Sequence, residues 1–172
     1  MTTTTGVALR QTLARRPPWL GRTINRLTAP HSAPGRVLRA HRWLYDRSDG
    51  RVGQLMVGVP TLLLRTTGRR TGKRRCSAVS YAVDGDRLIV AASNSGADQP
   101  PAWFYNLRSN PSVQIQVGRH HLSGIAAVVE STTPDYERLW ALMNAACNGR
   151  YDAYQTLTSR RIELVAIAVK EA

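Results

Sequence analysis

The chain predicts a mixed α+β fold, mainly β, with five or six short strands in a small, partly closed barrel edged by short helices. Three observations carry this expectation. Val113, Ile115 and Val117 alternate with Gln114 and Gln116, the period of a strand with one buried face. Asp84-Gly85 stands between two apolar stretches, 76–83 and 87–91, as the turn of an antiparallel hairpin does. The connections between the central strands are of hairpin length with no regular series of crossover helices, which argues against a parallel doubly wound sheet.

Residues 1–34 read as a flexible, basic N-terminal extension interrupted by Pro17-Pro18 and Pro30, followed by one domain over 35–172. In the extension Trp19, Leu20, Ile24 and Leu27 lie among arginines and form a candidate interfacial patch. Gly35–Arg47 reads as a helix whose Val37, Leu38, Trp43 and Leu44 supply one apolar side, for docking on the core first and for insertion at a membrane surface second. Arg36, Arg39 and Arg42 then stay near water. Thr61-Leu62-Leu63-Leu64 is a short buried strand, and the hairpin follows it. Pro100 or Pro101 starts a helix bearing Trp103, Phe104 and Leu107, which Asn110-Pro111 stops. Beyond Gly118-Arg119 a strand spans 122–129. Thr133-Pro134-Asp135 opens a capped helix with Tyr136, Leu139, Trp140 and Met143 at core-facing spacing. Residues 161–169 form the last strand.

The formal net charge of +13 is unevenly spread: residues 1–75 hold sixteen Arg or Lys against Asp46 and Asp49, whereas 76–172 hold eight basic and nine acidic residues. The excess suits an anionic membrane or nucleic acid, and the remainder has the balance of an ordinary soluble domain. Cys76 and Cys147 supply neither a disulfide framework nor a repeated metal-ligand spacing, which fits a reducing compartment. No apolar segment is long enough to span a bilayer. A cytoplasmic protein, peripheral on the inner face of the plasma membrane, is the expected location. His120-His121 has no acidic or thiol motif beside it, so no metal is expected, and without an RNA-recognition aromatic motif no specific nucleic-acid partner is expected either.

Gly68-Arg69-Arg70-Thr71-Gly72-Lys73-Arg74-Arg75 carries the clearest chemistry. Six anion-binding side chains surround two glycines directly after an apolar strand, and five of the six are basic. Such a segment holds a multiply negative ligand while its backbone turns tightly. It has neither the Lys-Ser/Thr spacing of a P-loop nor that of a dinucleotide fingerprint. Tyr151 and Tyr154, three residues apart, share one face if they are helical, and their phenols can orient a substrate oxygen or take part in proton transfer.

Four portions in order, 60–75, 81–101, 102–111 and 151–169, resemble the deazaflavin-dependent nitroreductase family. They include Leu62-Leu63-Leu64-Arg65-Thr66-Thr67-Gly68, Ala91-Ala92-Ser93-Asn94-Ser95-Gly96-Ala97, Trp103-Phe104-Tyr105-Asn106-Leu107 and Tyr154-Gln155 with Thr158 and Arg160-Arg161-Ile162. The resemblance implies a split β-barrel like that of FMN-binding proteins, with coenzyme F420 as the hydride donor. It assigns Arg69, Arg70, Thr71, Gly72, Lys73, Arg74 and Arg75 to the cofactor's phosphate and acidic tail, and Ser93, Asn94, Ser95, Gly96 and Ala97 to the side of the deazaflavin ring. Tyr151, Tyr154 and Ser93 become the candidate catalytic residues, and Trp103, Asn148, Tyr151 and Tyr154 the candidate substrate pocket. Asn148 occupies a position that is aromatic in the nitro- and quinone-reducing relatives.

The expected activity is hydride transfer from reduced deazaflavin to a quinone, an activated alkene or a nitro compound, with quinone reduction leading. Two alternatives stand beside it: an FMN-dependent split-barrel oxidoreductase, and a noncatalytic protein that binds deazaflavin or anionic lipid. A homodimer is a further expectation.

Overall fold

The computed structural model describes residues 35–56 and 58–170. The extension with its Trp19, Leu20, Ile24 and Leu27 patch lies outside the described residues, as does the Leu38 side chain. Helix α1 (Gly35–Arg47) leads into strands β1 (Leu55–Met56), β2 (Val59–Thr67), β3 (Arg74–Asp84) and β4 (Arg87–Ala91). Then come a 3₁₀ turn (Asn94–Gly96), α2 (Ala102–Ser109), β5 (Ser112–Val117), β6 (His120–Val129), α3 (Pro134–Ala146), α4 (Arg150–Gln155) and β7 (Leu164–Lys170).

The sheet runs β1-β2-β3-β4-β7-β6-β5, and β2 pairs again with β5, so six antiparallel strands close completely. Closure goes further than the partly closed barrel the sequence suggests. The nine-residue β2 pairs with β3 along Thr61 to Thr67 and with β5 at Leu63, Leu64 and Arg65, so its middle has partners on both edges and no open edge remains there.

Alternation sorts the side chains into two cores. Leu62, Leu64, Tyr81, Leu88, Val90, Ile115, Val165 and Ile167 fill the barrel, joined by Trp103, Phe104 and Leu107 of α2. On the outside, Ile89, Ala91, Leu164 and Ala166 face Tyr136, Leu139 and Met143 of α3, with Cys147 and Tyr151. Helix α3 starts as expected, with Thr133 Oγ1 accepting from the Tyr136 amide. Cys76 and Cys147 are not joined by a disulfide.

Helix α1 forms as expected but docks differently. Val37, Trp43 and Leu44 are 53%, 64% and 43% exposed, whereas Tyr45 is fully buried. The Tyr45 hydroxyl accepts from the Gly118 amide at 2.8 Å and donates to the Thr61 carbonyl at 3.1 Å. Arg42 donates to the Cys76 carbonyl, and Arg65 pairs with Asp46 at 2.6 Å. Polar contacts and one aromatic ring therefore latch this helix, and the apolar side expected to dock faces outward. The last strand begins at Leu164, because 156–163 is spent on a tied-down connection that crosses the 93–97 segment.

Candidate active site

The basic segment divides in two. Gly68 to Lys73 form a closed loop: the Gly68 amide donates to the Lys73 carbonyl at 2.9 Å and the Gly72 amide to the Gly68 carbonyl at 2.8 Å. Gly72 takes φ +65°, a backbone region costly for a residue with a Cβ. Arg74 and Arg75 already belong to β3, opposite Thr67 and Thr66, so their side chains leave on opposite faces. Arg74 is hydrogen-bonded to Gln114 on the outer surface, apart from the rest of the cluster.

Helix α2 holds the loop. Asn106, buried, accepts from the Arg69 amide through Oδ1 at 3.1 Å and donates through Nδ2 to Thr66 Oγ1 at 3.1 Å. The Arg69 guanidinium lies 4.9 Å from the centre of the Tyr105 ring. Among the described residues, none of Arg69, Arg70, Lys73, Arg74 and Arg75 has a carboxylate partner within 4.0 Å, although Arg65, Arg87, Arg138, Arg160 and Arg161 all do.

The turn predicted beside the ring is a 3₁₀ turn with left-handed backbone at Asn94 (φ 48°), Ser95 (φ 59°) and Gly96 (φ 81°). Gly96 has a steric reason to be glycine: a Cβ there would stand 2.8 Å from the Tyr154 carbonyl and 2.8 Å from Leu157 Cβ. Asn94 Nδ2 donates to the Gln99 carbonyl at 2.9 Å, and the Tyr105 hydroxyl donates to Gln99 Oε1 at 3.2 Å. A run of contacts thus links Arg69 through Tyr105 and Gln99 to Asn94, bringing both predicted cofactor segments onto one rim of the barrel. Ser93 is 8% exposed and makes no cap bond to the turn.

The two tyrosines share helix α4 and the outer core but differ in burial. Tyr151 is 5% exposed within the outer core, its ring edge-on to Trp140 at 6.3 Å and to Tyr154 at 6.0 Å. Burial holds its phenol well above the ordinary range. Tyr154 is half-buried and lies beside the 93–97 turn. Asn148 is exposed at φ 58° in the α3–α4 connection. Trp103, read from sequence as either a pocket wall or core, is 7% exposed in the barrel core, because α2 turns Trp103, Phe104 and Leu107 inward and leaves Tyr105 as its outward aromatic.

Several supports were not read as such from the sequence. Asn144 Oδ1 accepts from the amides of Tyr151 and Asp152, capping α4 from inside α3. Gln155 donates to the Arg160 carbonyl at 2.8 Å and accepts from the Ile162 amide at 3.0 Å, which fastens the connection after α4. Thr158 donates to Asp98 Oδ1. For Gln155 and Thr158 the only sequence signal was their place in the quoted segments, and Asn144 lies outside all four.

Comparison with known proteins identifies the family. The family model described as F420H(2)-dependent quinone reductase matches residues 37–170. The chain is 40% identical over 132 residues to an F420H(2)-dependent quinone reductase of Mycobacterium tuberculosis, covering 76% of this chain and 89% of that protein. Among solved structures, an F420-H2 dependent reductase is 30% identical at a TM-score of 0.57, covering 63% of this chain and 93% of its own. Another, described as a domain-swapped dimer, is 27% identical at a TM-score of 0.59, covering 78% and 99%. The chain belongs to the F420H(2)-dependent quinone reductase family, with the split β-barrel fold of deazaflavin- and FMN-binding proteins.

Proposed function

We propose that loop 68–73, with Arg75 behind it, holds the phosphate and acidic tail of coenzyme F420, that turn 93–97 receives the deazaflavin head, and that a quinone is reduced beside Tyr154. Family membership makes the reaction a hydride transfer from reduced coenzyme F420 to a quinone-like acceptor. The observation that carries the residue-level reading is the run of contacts from Arg69 to Asn94, which joins a cation-rich loop without acids to a turn of small side chains.

The residues fit such a cofactor. Basic groups without carboxylate partners match a polyanionic tail, and each charge-assisted hydrogen bond contributes about 1.5–3 kcal/mol before desolvation. A Cβ at Gly68 would meet Thr71 Oγ1 at 3.0 Å and the Lys73 carbonyl at 3.1 Å, so glycine keeps the cradle open. When bound, the cofactor supplies the hydride. The chain's own residues do the rest: loop 68–73 anchors, the 93–97 backbone approaches closely, and the Ser93 hydroxyl offers a donor. The Tyr154 phenol orients the acceptor oxygen and holds the proton it needs. Tyr151 backs Tyr154 with its ring.

The test is direct. Oxidised and reduced coenzyme F420 and FMN are titrated against the protein, and oxidation of the reduced deazaflavin is then followed anaerobically with a menaquinone analogue, an activated enone or a nitroarene. Selective deazaflavin binding with quinone-dependent oxidation is expected. Binding without turnover on the whole panel would favour a noncatalytic carrier, and FMN binding alone would sink the proposal.

The location proposed is an anionic membrane surface. Val37, Ala40, Trp43 and Leu44 share the outward side of α1 with Arg36 and Arg47, all exposed, an apolar strip rimmed by positive charge. No helix of the described residues is long and apolar enough to cross a membrane. Sedimentation with anionic vesicles but not neutral ones, lost in Trp43→Asp, is the expected result. A homodimer is proposed through the apolar strip of Ile125, Ala127 and Ala168 on the outer face of β6 and β7, and light scattering reads the mass.

A further inference from the structure

Resting on that reading of turn 93–97, we infer that Arg160 is a positioning residue which sets the face this turn presents to the cofactor. Arg160 does not touch the basic loop, and its side chain is 15% exposed. Each guanidinium nitrogen is committed. Nε donates to the Ala97 carbonyl at 3.0 Å, and Nη2 donates to the carbonyls of Ala92 at 2.8 Å and Ser93 at 3.0 Å. Nη1 pairs with Glu163 Oε2 at 2.8 Å. The charge is therefore already answered by a carboxylate and three carbonyl dipoles, so Arg160 is no anchor for an anionic ligand.

Its consequence runs through the peptide planes. In a trans peptide the C=O and the following N–H point in opposite directions. Drawing the carbonyls of Ala92 and Ser93 toward Arg160 turns the amides of Ser93 and Asn94 the other way, where they find no acceptor among the described residues. One planar fork thus fixes the back of the turn, and two donors are left on its front for an oxygen of the bound cofactor. The left-handed run at Asn94, Ser95 and Gly96 makes this hold necessary, since two of the three residues carry a Cβ and are costly in that conformation. Glu163 steadies the clamp from β7's approach, its own carbonyl accepting from the Ala92 amide at 2.8 Å. A lysine cannot reproduce the arrangement, because one ammonium on a flexible stem replaces a rigid fork that reaches three carbonyls.

Arg160→Lys and Arg160→Gln test this, with two readouts that need no turnover. In hydrogen exchange of the protein without cofactor, the Gly96 and Ala97 amides, bonded to the carbonyls of Ser93 and Asn94, exchange roughly tenfold faster in both variants while β4 and β7 are unchanged. The Kd for oxidised coenzyme F420 rises roughly tenfold, a loss comparable to one charge-assisted hydrogen bond. In turnover, kcat falls along with the rise in KM for the cofactor, whereas a merely structural residue would lower the amount of folded enzyme and leave both constants alone. Should Arg160→Gln melt as a whole, Arg160→Lys decides. Wild-type exchange, Kd and kinetics in Arg160→Lys would overturn the inference. A wild-type protein that binds no coenzyme F420 would instead remove the functional reading on which it rests.

Discussion

Two arginine-rich regions of this barrel behave in opposite ways. Along the α3 side, Arg138 grips both Asp84 oxygens at 2.7 and 3.0 Å and also Asp135 at 2.6 Å, Arg87 pairs with Asp84, and Arg161 pairs with Glu137 while lying 4.5 Å over the Tyr136 ring. At the rim carrying loop 68–73, the cations have no carboxylate partners among the described residues, and the loop is held by its own backbone, by Asn106 and by the Tyr105 ring. Where a cation's partner is built into the chain, the charge serves the fold. Where backbone and uncharged side chains shape the loop, the charges stay available for a ligand.

This contrast can be broken by mutation. The largest expected effect is on binding: the triple variant Arg69→Gln, Arg70→Gln, Lys73→Gln weakens coenzyme F420 binding about a hundredfold or more while the melting temperature hardly changes, as fluorescence titration and calorimetry would show. A parallel loss of stability would mean that the loop charges serve the fold after all. Next comes Tyr154→Phe, expected to lower kcat with the quinone about thirtyfold at unchanged cofactor Kd. Tyr151→Phe costs less, since its ring stays in the core.

Smaller effects sharpen the comparison. Asn106→Ala leaves the Arg69 amide and Thr66 without their partner and should cost about 1–2 kcal/mol in denaturant unfolding, with weaker cofactor binding because the loop loosens. The smallest effect lies on the paired side. Hydrogen bonds from Arg138 and then Arg87 lower the Asp84 pKa from 3.8 to about 2. A carboxylate with a depressed folded pKa contributes stability that is present above its unfolded value and lost as pH falls through the folded one. Because Arg138 is half exposed, about 1 kcal/mol should disappear between pH of about 4 and 2. Arg138→Gln should flatten that part of the stability curve.

Legibility followed the range of the forces involved. The hairpin at Asp84-Gly85, the alternation of β5 and the Thr133 cap are local, and each was readable from a few neighbouring residues. The outward side of α1 was not. Val37, Trp43 and Leu44 look core-facing by period, yet the buried contact is Tyr45, whose hydroxyl meets Gly118, 73 positions further along the chain. Trp103 was open between core and pocket wall for a similar reason, since periodicity marks a helix face as apolar without saying whether it plugs a barrel or walls a pocket. Arg74 and Arg75 looked equivalent until strand register sent them to opposite faces.

By itself, then, the sequence determined the inventory: a small β barrel with edge helices, a basic glycine loop, a Ser-Asn-Ser-Gly turn, two spaced tyrosines and a specific family resemblance. All rest on side-chain period, turn chemistry and motif order, which are properties of neighbours in the chain. Tertiary structure alone decided which cations lack acids, that Tyr105 and Gln99 join the loop to the turn, that Tyr151 is buried while Tyr154 stands at the rim, and that Arg160 reaches across 63 to 68 positions of sequence to grip three carbonyls. Hydrogen bonds and burial depend on distances in space, and only barrel closure brings those distant residues within reach.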